Sequence, residues 1–257
     1  MQNSRIKILH IDIETAPNIA HVWGLFNQNV GLSQLVDSGY VMCFAAKWHE
    51  DDKIIFKSTY EDKMEMLYTA HQLLTEADAV VHYNGKKFDI PTLNKEFVMG
   101  GFLPPDPYHQ IDLLSVARSR FRFASNKLDY VAQALNLGGK LKHRGHELWV
   151  RCMANDPEAW EEMKQYNIQD VILLEEVYNK FLPWINNHPN HALFTDEDRP
   201  VCTNCGSTHV IKKGIETTRT LQYQRYRCAD CGTPLRSRYT LTDKEKRQHI
   251  LRHPKTS

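Results

Sequence analysis

The first apolar run of the chain predicts a buried β-strand that two acidic residues interrupt. Asp12 and Glu14 are two positions apart, so in a strand their side chains project from the same face. Two neighbouring carboxylates are costly to remove from water, and bound divalent cations would offset that cost. The alternative is a solvated pair of acids on an edge strand, and only partner motifs elsewhere in the chain can decide between the two. The apolar positions of the run are Ile6, Ile8, Leu9, Ile11 and Ile13.

The remaining apolar positions predict an α/β fold with a sheet of mixed direction that is flanked by helices. Three strand signals come first, and residues 15–39 between the first two predict a long, partly ordered loop. Asp156 and Pro157 predict the start of a long final helix that ends before Pro183. The other predicted elements are strands at 40–48, 54–57 and 79–83, and helices at 61–76, from Pro91 to Val98, and at 128–135.

Two further acidic residues, Asp89 and Asp170, are candidate partners of the acidic pair. Asp89 comes after a short strand and the turn at Asn84, a position where α/β sheets place ligand groups. The alternative for Asp89 is the N-cap of the next helix. Asp170 lies four residues after Tyr166 on the predicted final helix, so the two side chains share a face. Apolar neighbours after Asp170 favour an inward face, and the alternative is a surface aspartate beside a half-buried tyrosine.

The charge distribution divides the chain into an acidic body and a basic tail, although the net charge of the whole chain is only +1. From Arg199 onward there are 13 lysines and arginines and 4 acidic residues, a net charge of +9. The residues before Arg199 carry 19 basic and 27 acidic side chains, a net charge of −8. We therefore predict an anionic partner for the tail. Polar, proline-containing residues 186–200 predict a linker between body and tail.

Length and composition indicate a globular protein without a membrane partner. The 257 residues are 42% hydrophobic, which allows one full domain and a small second one. No apolar run is long enough to span a bilayer, and the N-terminus lacks a secretory pattern, so we expect a soluble, cytoplasmic protein. Four of the six cysteines form two C-x-x-C pairs, which in an intracellular protein favour metal binding over disulfides.

Three motifs together resemble the DEDD superfamily of 3′–5′ exonucleases, which has an RNase H-like fold. They are Asp12-x-Glu14, Asn84-x-x-x-Phe88-Asp89 and Tyr166-x-x-x-Asp170. The tyrosine four residues before the last acid resembles the tyrosine branch, because Gln165 stands where the histidine branch has its histidine. A wider pattern, including the run DIETAP that starts at Asp12, is similar to stand-alone relatives of family-B polymerase proofreading domains.

The resemblance implies a hydrolase that uses two Mg²⁺ or Mn²⁺ ions to cleave phosphodiester bonds from the 3′ end. Asp12, Glu14, Asp89 and Asp170 would hold the ions, with Asp12 bridging them. Carboxylate oxygens are hard ligands that suit both metals. Tyr166 would orient the attacking water, because a phenol is a poor base at neutral pH.

The same resemblance implies contacts between the active site and the terminal nucleotide. Thr15, Asn84 and Phe88 match motif positions that would touch the nucleotide near the 3′ end. For Asn84 the alternative is a turn residue, and for Phe88 it is a residue of the hydrophobic core. Asp112 is a further acid near the motifs, and we expect a structural role for it. A cluster of His143, His146 and Glu147 suggests a solvated or phosphate-contacting loop, with a transition-metal site as the alternative.

Two cysteine pairs in the tail predict one structural Zn²⁺ ion. They are Cys202-x-x-Cys205 and Cys228-x-x-Cys231, and each is followed by a glycine. This spacing suits tetrahedral Cys₄ zinc, and the segment resembles zinc ribbons of transposase-type DNA-binding proteins. The alternative is a disulfide or two free dithiols. The metal would supply folding energy that so short a segment lacks.

Basic and aromatic residues alternate in the ribbon and predict contact with a nucleic acid. The basic residues that we expect to bind it are Lys212, Lys213, Arg225 and Arg227. Such residues suit phosphate contact, and neighbouring tyrosines suit base stacking. A protein partner for the same face is the alternative.

We therefore predict an RNase H-like exonuclease domain at 1–185, a linker at 186–200, and a zinc ribbon with a basic tail at 201–257. The expected substrate is single-stranded DNA. The alternatives are an exoribonuclease of the same fold and a non-catalytic nucleic-acid-binding adaptor, although a complete set of carboxylates argues against the adaptor. The discrimination between DNA and RNA depends on the shape of the pocket around the 2′ position, which a sequence does not define.

Overall fold

The computed structural model describes residues 6–139 and 144–254 and divides the chain into two compact units. One unit spans Lys7–Asn179, and the other contains Ile6 and the chain from Lys180 onward. The domain bounds at 185 and 200 stay a prediction. No helix among the described residues is long and apolar enough to cross a membrane.

The first unit is built on a five-stranded sheet of mixed direction, as predicted. Its strand order is β5-β4-β1-β6-β7, in which β1 pairs antiparallel with β4 and parallel with β6. The strands are β1 (Ile8–Thr15), β4 (Val41–Trp48), β5 (Ile54–Ser58), β6 (Ala79–His82) and β7 (His109–Asp112). The helices are α1 (Lys63–Glu76), α2 (Asp89–Met99), α3 (Leu113–Arg120), α4 (Leu128–Ala134), α5 (His146–Met153) and α6 (Pro157–Phe181).

Strand β1 is the central strand of the sheet, and its two faces pack against different helices. Leu9, Ile11 and Ile13 belong to a core cluster with residues of α1 and α2 on one face. Each such buried aliphatic side chain contributes roughly 1.5–3 kcal/mol. The residues between them, including Asp12 and Glu14, point to the opposite face, where α5 and α6 contribute a second core cluster.

Helix α6 starts and ends where the sequence predicts. The carboxylate of Asp156 accepts hydrogen bonds from the backbone N–H groups of Glu158 (3.0 Å) and Ala159 (3.3 Å), which caps the first turn. Trp160 and Met163 then pack in the second core cluster. The helix ends at Phe181, two residues before Pro183, whose ring cannot continue it.

Two segments carry more regular structure than predicted. Within residues 15–39, β2 (Ile19–Ala20) pairs antiparallel with β3 (Leu35–Asp37), so this stretch is a hairpin arm. Helix α5 was not predicted, because the polar cluster at its start suggested a loop. Its buried residues Leu148 and Cys152 are four positions apart, a helical signal too short to stand out from the sequence.

The second unit contains a three-stranded antiparallel sheet. Its order is β10-β9-β8, and the strands are β8 (Val210–Thr217), β9 (Gln222–Cys228) and β10 (Pro234–Thr240). A short helix α7 (Lys244–Gln248) follows, and Asp243 caps it through the backbone N–H of Lys246. The side chain of Asn204 donates to the backbone carbonyls of Leu182 (2.7 Å) and Ile185 (2.9 Å), which ties the first cysteine pair to the chain before it.

A buried polar cluster joins α6 to β1 and β4 in the first unit. Glu175 of α6 forms an ion pair with Lys47, and its Oε1 lies 3.2 Å from His49 Nδ1. His10 of β1 lies 3.3 Å from the same His49 nitrogen, and the Tyr178 ring stands edge-on to both imidazoles. The cluster therefore supplies polar partners to charged groups that the packing of α6 removes from water.

Burial and charge set the protonation of this cluster. Burial, together with the neighbouring His49, lowers the pKa of His10 to about 3, so His10 is neutral. Burial acts to raise the pKa of Glu175, but hydrogen bonds from His49, Lys47 and the Glu50 backbone outweigh it and lower the pKa to about 2. Glu175 is therefore ionised, and Lys47 neutralises it.

We expect Lys47→Met to lower the free energy of unfolding by roughly 3–5 kcal/mol, because it leaves Glu175 buried without its countercharge. Adding Glu175→Gln should restore part of that loss. Urea unfolding at pH 7 measures both. The control is Lys57→Met, whose partner Glu65 is exposed, and it should cost at most about 1 kcal/mol. Equal losses in the two single variants would show that the pair at Glu175 behaves as a surface pair.

Candidate functional site

Three carboxylates from two distant parts of the chain meet on the α6 face of β1. Asp12, Glu14 and Asp170 each offer an oxygen, and these oxygens all lie within 4.8 Å of one another. Asp12 and Glu14 are partly buried on β1, while Asp170 on α6 is only 1% exposed. Asp12 and Glu14 therefore project from the same face of β1, as their spacing predicts. The packing of α6 on that face brings Asp170 to them.

Asn167 holds the Asp12 side chain in place, a role that sequence reasoning missed. Its Nδ2 donates to Asp12 Oδ2 at 2.8 Å and to the Asp12 backbone carbonyl at 3.3 Å. Asn167 is fully buried, and its Oδ1 faces the Cys43 thiol at 3.9 Å. The available signal was a polar amide directly after Tyr166 on a predicted buried helix face. A hydrogen bond to a charged group contributes about 1.5–3 kcal/mol, so Asn167 fixes the carboxylate rotamer.

Cys43 lies beneath the carboxylates as a neutral packing residue. It pairs with Glu14 across β1 and β4, and it is fully buried. Burial, with the charges of Glu14 and Asp12, raises the pKa of its thiol well above the usual range. The acidic group therefore has no reactive thiolate below it.

Asp89 lies next to the other acids but outside the group of three. It is the first residue of α2, and Phe88 rather than Asp89 occupies the N-cap. Its Oδ1 accepts a hydrogen bond from the backbone N–H of Ile13 at 3.3 Å, between Asp12 and Glu14 in the chain. Burial raises the pKa of Asp89 to about 6 even though backbone hydrogen bonds oppose the shift.

Tyr166 lies on the same helix face as Asp170, as predicted. Its side chain is 7% exposed, and its ring packs edge-on against Trp149 of α5, with the ring centroids 6.1 Å apart. Tyr166 belongs to the core cluster that α5 and α6 form. The unpredicted helix α5 therefore fixes the orientation of this ring.

The donor set of the acidic group fits divalent cations such as Mg²⁺ or Mn²⁺. Its three ligand atoms are carboxylate oxygens, which hard cations prefer. Oxygens within 4.8 Å of one another can share an ion, since each binds at about 2.0–2.6 Å. Such ions would also offset the repulsion between the acids.

A second group of possible ligands, His10, His49 and Glu175, also lies within 4.8 Å. Lys47 already neutralises Glu175 there, and a divalent cation would add charge beside a buried ammonium group. We therefore assign a structural role to this second group.

Two clefts open beside the acidic group. One, of about 550 Å³, has Asp12 in its wall together with Tyr83, Arg118 and Lys127. The other, of about 390 Å³, is lined by residues that include Thr15, Phe88 and Lys95. Thr15 and Phe88, which the motifs predict to contact a nucleotide, thus share one cleft.

Asn84 and Asp112 lie at the ends of the neighbouring strands β6 and β7, and a hydrogen bond joins them. Asn84 has a positive φ of 73°, which asparagine tolerates better than most residues, and this matches its interpretation as a turn residue. Asp112 Oδ1 accepts hydrogen bonds from the backbone N–H groups of Asn84 (3.0 Å), Leu114 (3.0 Å) and Ser115 (3.4 Å). Asp112 therefore caps α3, a structural role as expected.

His146 and Glu147 lie in the first turn of α5, and Arg144 Nη1 is 3.9 Å from Glu147 Oε1. This placement corrects the expected loop. His143 lies outside the described residues.

The four cysteines of the tail form a compact group. Cys202 Sγ lies 3.5 Å from Cys231 Sγ, Cys205 Sγ lies 3.6 Å from Cys228 Sγ, and all four atoms lie within 4.8 Å of one another. None of them forms a disulfide. Zn–S bonds of about 2.3 Å in a tetrahedron place the sulfurs about 3.8 Å apart, so the group is consistent with a zinc site.

The predicted nucleic-acid contacts of the ribbon lie on two faces of its sheet. Lys212, Lys213, Arg225 and Arg227 are all exposed. Arg225 and Arg227 are two residues apart on β9 and share one face with Arg236, which pairs with Arg225. Lys212 pairs with Tyr226, so its side chain is on the opposite face. A single flat surface would not contact all these cations at once.

Comparison with known proteins defines the family of the chain. Residues 30–182 match the family model described as the RNase H superfamily. The match spans more than half of the chain, and the chain belongs to this superfamily. The matched range contains Asp89, Tyr166 and Asp170 and begins after Asp12 and Glu14. No curated protein matches the chain.

Among solved structures, the chain is similar to the family B DNA polymerase of the hyperthermophilic archaeon Pyrobaculum calidifontis. The TM-score is 0.54 at 17% sequence identity. The similarity covers 70% of this chain and 25% of the polymerase chain, so this chain spans about a quarter of that relative's length. The likeness concerns the fold.

The RNase H-like fold and the acidic group beside its central strand support a nuclease at the general level. A nuclease fold implies a nucleic-acid substrate, and nucleases of this fold use divalent metals. The acidic group and the four cysteines could both hold metal ions.

We expect Asp89→Asn to raise the free energy of unfolding of the metal-free protein at pH 8 by on the order of 1–3 kcal/mol. The folded pKa of about 6 lies above the ordinary value of 3.8, so burying the ionised form destabilises the fold. This cost is absent below pH 4 and develops as the pH rises from about 4 to 6.

The measurement is urea unfolding in EDTA at pH 4.5 and pH 8, with Asp52→Asn, an exposed aspartate, as the control. A lower stability of Asp89→Asn at pH 8 would show that local donors stabilise the carboxylate and that its pKa is not raised.

We expect Cys202→Ser with Cys205→Ser to abolish zinc binding in the full-length protein, because two thiolates cannot complete a tetrahedral site. Metal analysis should find about one zinc per wild-type chain and none in the variant. Cys152→Ala, which removes a cysteine of the first unit, should leave the zinc content unchanged. Equal zinc content in all three proteins would exclude this site.

Proposed function

We propose that this chain is a 3′–5′ exonuclease that hydrolyses single-stranded DNA. The observation that carries the proposal is the meeting of Asp12 and Glu14 of the central strand with Asp170 of α6, within 4.8 Å, in an RNase H-like fold. The resemblance of the three motifs to the tyrosine branch of the DEDD superfamily adds the 3′–5′ direction. It also adds Asp89 as the fourth acid.

In this proposal Asp12, Glu14, Asp89 and Asp170 hold two Mg²⁺ or Mn²⁺ ions. When bound, such ions neutralise charge on the scissile phosphate and provide an activated water. Asn167 acts as a positioning residue, because its amide fixes the Asp12 carboxylate, which would be a metal ligand. The Ile13 backbone does the same for Asp89.

Tyr166 has the role of orienting the attacking water. Its ring packs against Trp149 of α5, and a phenol is a poor base at neutral pH. Positioning is therefore the better role for its hydroxyl group. Thr15 and Phe88 line one cleft beside the acids and would contact the terminal nucleotide. Asn84 would contribute to the nucleotide site through the shape of the turn that it forms after β6.

We propose in addition that the tail is a zinc ribbon that binds nucleic acid and is separate from the chemistry. The proposed domains are 1–185 for the nuclease and 201–257 for the ribbon, joined by 186–200. The close sulfur atoms support one structural Zn²⁺, and Cys₄ coordination leaves no open position for a substrate. The net charge of +9 from Arg199 onward supports a polyanionic partner.

The test of the proposed function is the degradation of 5′-labelled single strands of DNA and RNA with Mg²⁺ or Mn²⁺. We expect progressive shortening of the labelled DNA strand from its 3′ end. Asp12→Asn or Asp170→Asn should slow it at least about 10³-fold, because each loses a metal ligand worth several kcal/mol. Asp52→Asn, an exposed acid between β4 and β5, should cleave at the wild-type rate.

Other outcomes separate the rival functions. Faster shortening of RNA than of DNA would favour the exoribonuclease. Strand binding in Ca²⁺ without any cleavage in Mg²⁺ or Mn²⁺ would favour the non-catalytic adaptor. Wild-type cleavage by both Asp12→Asn and Asp170→Asn would rule out this active site.

A further inference from the structure

A short basic segment interrupts the acidic first unit. Residues 118–127, which we name the basic segment, contain Arg118, Arg120, Arg122 and Lys127 and no acidic residue. All four side chains are exposed. The residues before Arg199 carry a net charge of −8, so this is a local reversal of sign. A polyanion that reaches the acidic group of this unit needs such a reversal, because the surrounding charge repels it.

The basic segment is fixed to the end of β6 and connects two helices. Arg118 lies in the last turn of α3, and Lys127 is the N-cap of α4. The Tyr83 hydroxyl, directly after β6, donates to the Asn126 backbone carbonyl at 2.7 Å. In the described part of the chain, no carboxylate forms an ion pair with any of the four cations. Their charges therefore remain available to a ligand.

A cleft connects this segment to the acidic group. Arg118 and Lys127 line the cleft of about 550 Å³ that also has Asp12 in its wall. Asp129 lines it too, and Gln133 Nε2 donates to Asp129 Oδ1 at 2.9 Å. The volume lies in the range of about 300–1,000 Å³ that accommodates small ligands, so the cleft has room for nucleotides of a single strand.

We propose that Arg118 and Lys127 bind backbone phosphates of a single polynucleotide strand whose 3′ end lies at Asp12. This inference rests on the proposed function and adds the path of the strand away from the scissile bond. Both cations are exposed and lie in the wall of one cleft, so they can contact phosphates near the end of the strand. Such contacts position a strand without reading its sequence. The site therefore takes phosphodiesters of any base composition.

The test compares full-length Arg118→Gln/Lys127→Gln with a matched control, Lys53→Gln/Lys180→Gln, which removes two exposed lysines elsewhere. Two substrates are used, a single-stranded DNA of twenty nucleotides and the p-nitrophenyl ester of thymidine 5′-monophosphate. The ester has one phosphodiester and no further backbone, so it does not reach the basic segment.

We expect the KM for the strand to rise about tenfold in Arg118→Gln/Lys127→Gln, with kcat for the strand within about twofold of wild type. The slope of log KM against log salt should become shallower by about 1.4, since each phosphate of a single strand contributes about 0.7. Hydrolysis of the ester should be unchanged. The control variant should match wild type on both substrates.

The proposed path is wrong if the wild type degrades the strand and both double variants have the wild-type KM and salt slope. The proposed nuclease function is unaffected by that result. If wild type cleaves neither substrate, the proposed function fails, and binding of the labelled strand in Ca²⁺ decides the path. A roughly tenfold weaker affinity of Arg118→Gln/Lys127→Gln would then still support the site. An affinity equal to that of the control would overturn it.

Discussion

The packing of α6 along one face of β1 is the contact on which the candidate site depends. Two buried polar connections fix its register, the amide of Asn167 on Asp12 and the carboxylate of Glu175 among Lys47 and His49. A shift of the helix by one turn, about 5.4 Å, would break both and leave charges buried without partners. The same register brings Asp170 to the two acids of β1.

The candidate site is arranged at a cost to the stability of the metal-free fold. Three carboxylates lie close together, and burial raises the pKa of Asp89 beside them to about 6. The Asn167 amide donates a hydrogen bond to Asp12, and the Ile13 backbone donates one to Asp89. In the proposed function, bound cations would offset the repulsion between the acids, and metal binding would then raise the stability of the fold. Such a conflict between local electrostatics and folding is typical of functional sites.

The uneven distribution of charge along the chain is consistent with the proposed path of the substrate strand. The acidic body suits cation binding but repels a polyanion, and the basic segment reverses the sign of the charge locally. Arg118 and Lys127 share a cleft with Asp12, while the tail from Arg199 onward carries a net charge of +9. The basic segment would guide the end of a strand, and the ribbon would add affinity through the phosphate backbone.

The sequence by itself determined whatever depends on the period of a single element. It placed Asp12 and Glu14 on one face of a strand, Tyr166 and Asp170 on one face of a helix, and the cysteines in two pairs. Only the tertiary structure decided that Asp170 meets the acids of β1, that Asn167 binds Asp12, and that α5 holds Tyr166. It also decided that the basic segment opens into the same cleft as Asp12. The reason is physical: periodicity sets the direction of a side chain relative to its own element, whereas distances between elements follow from how they pack.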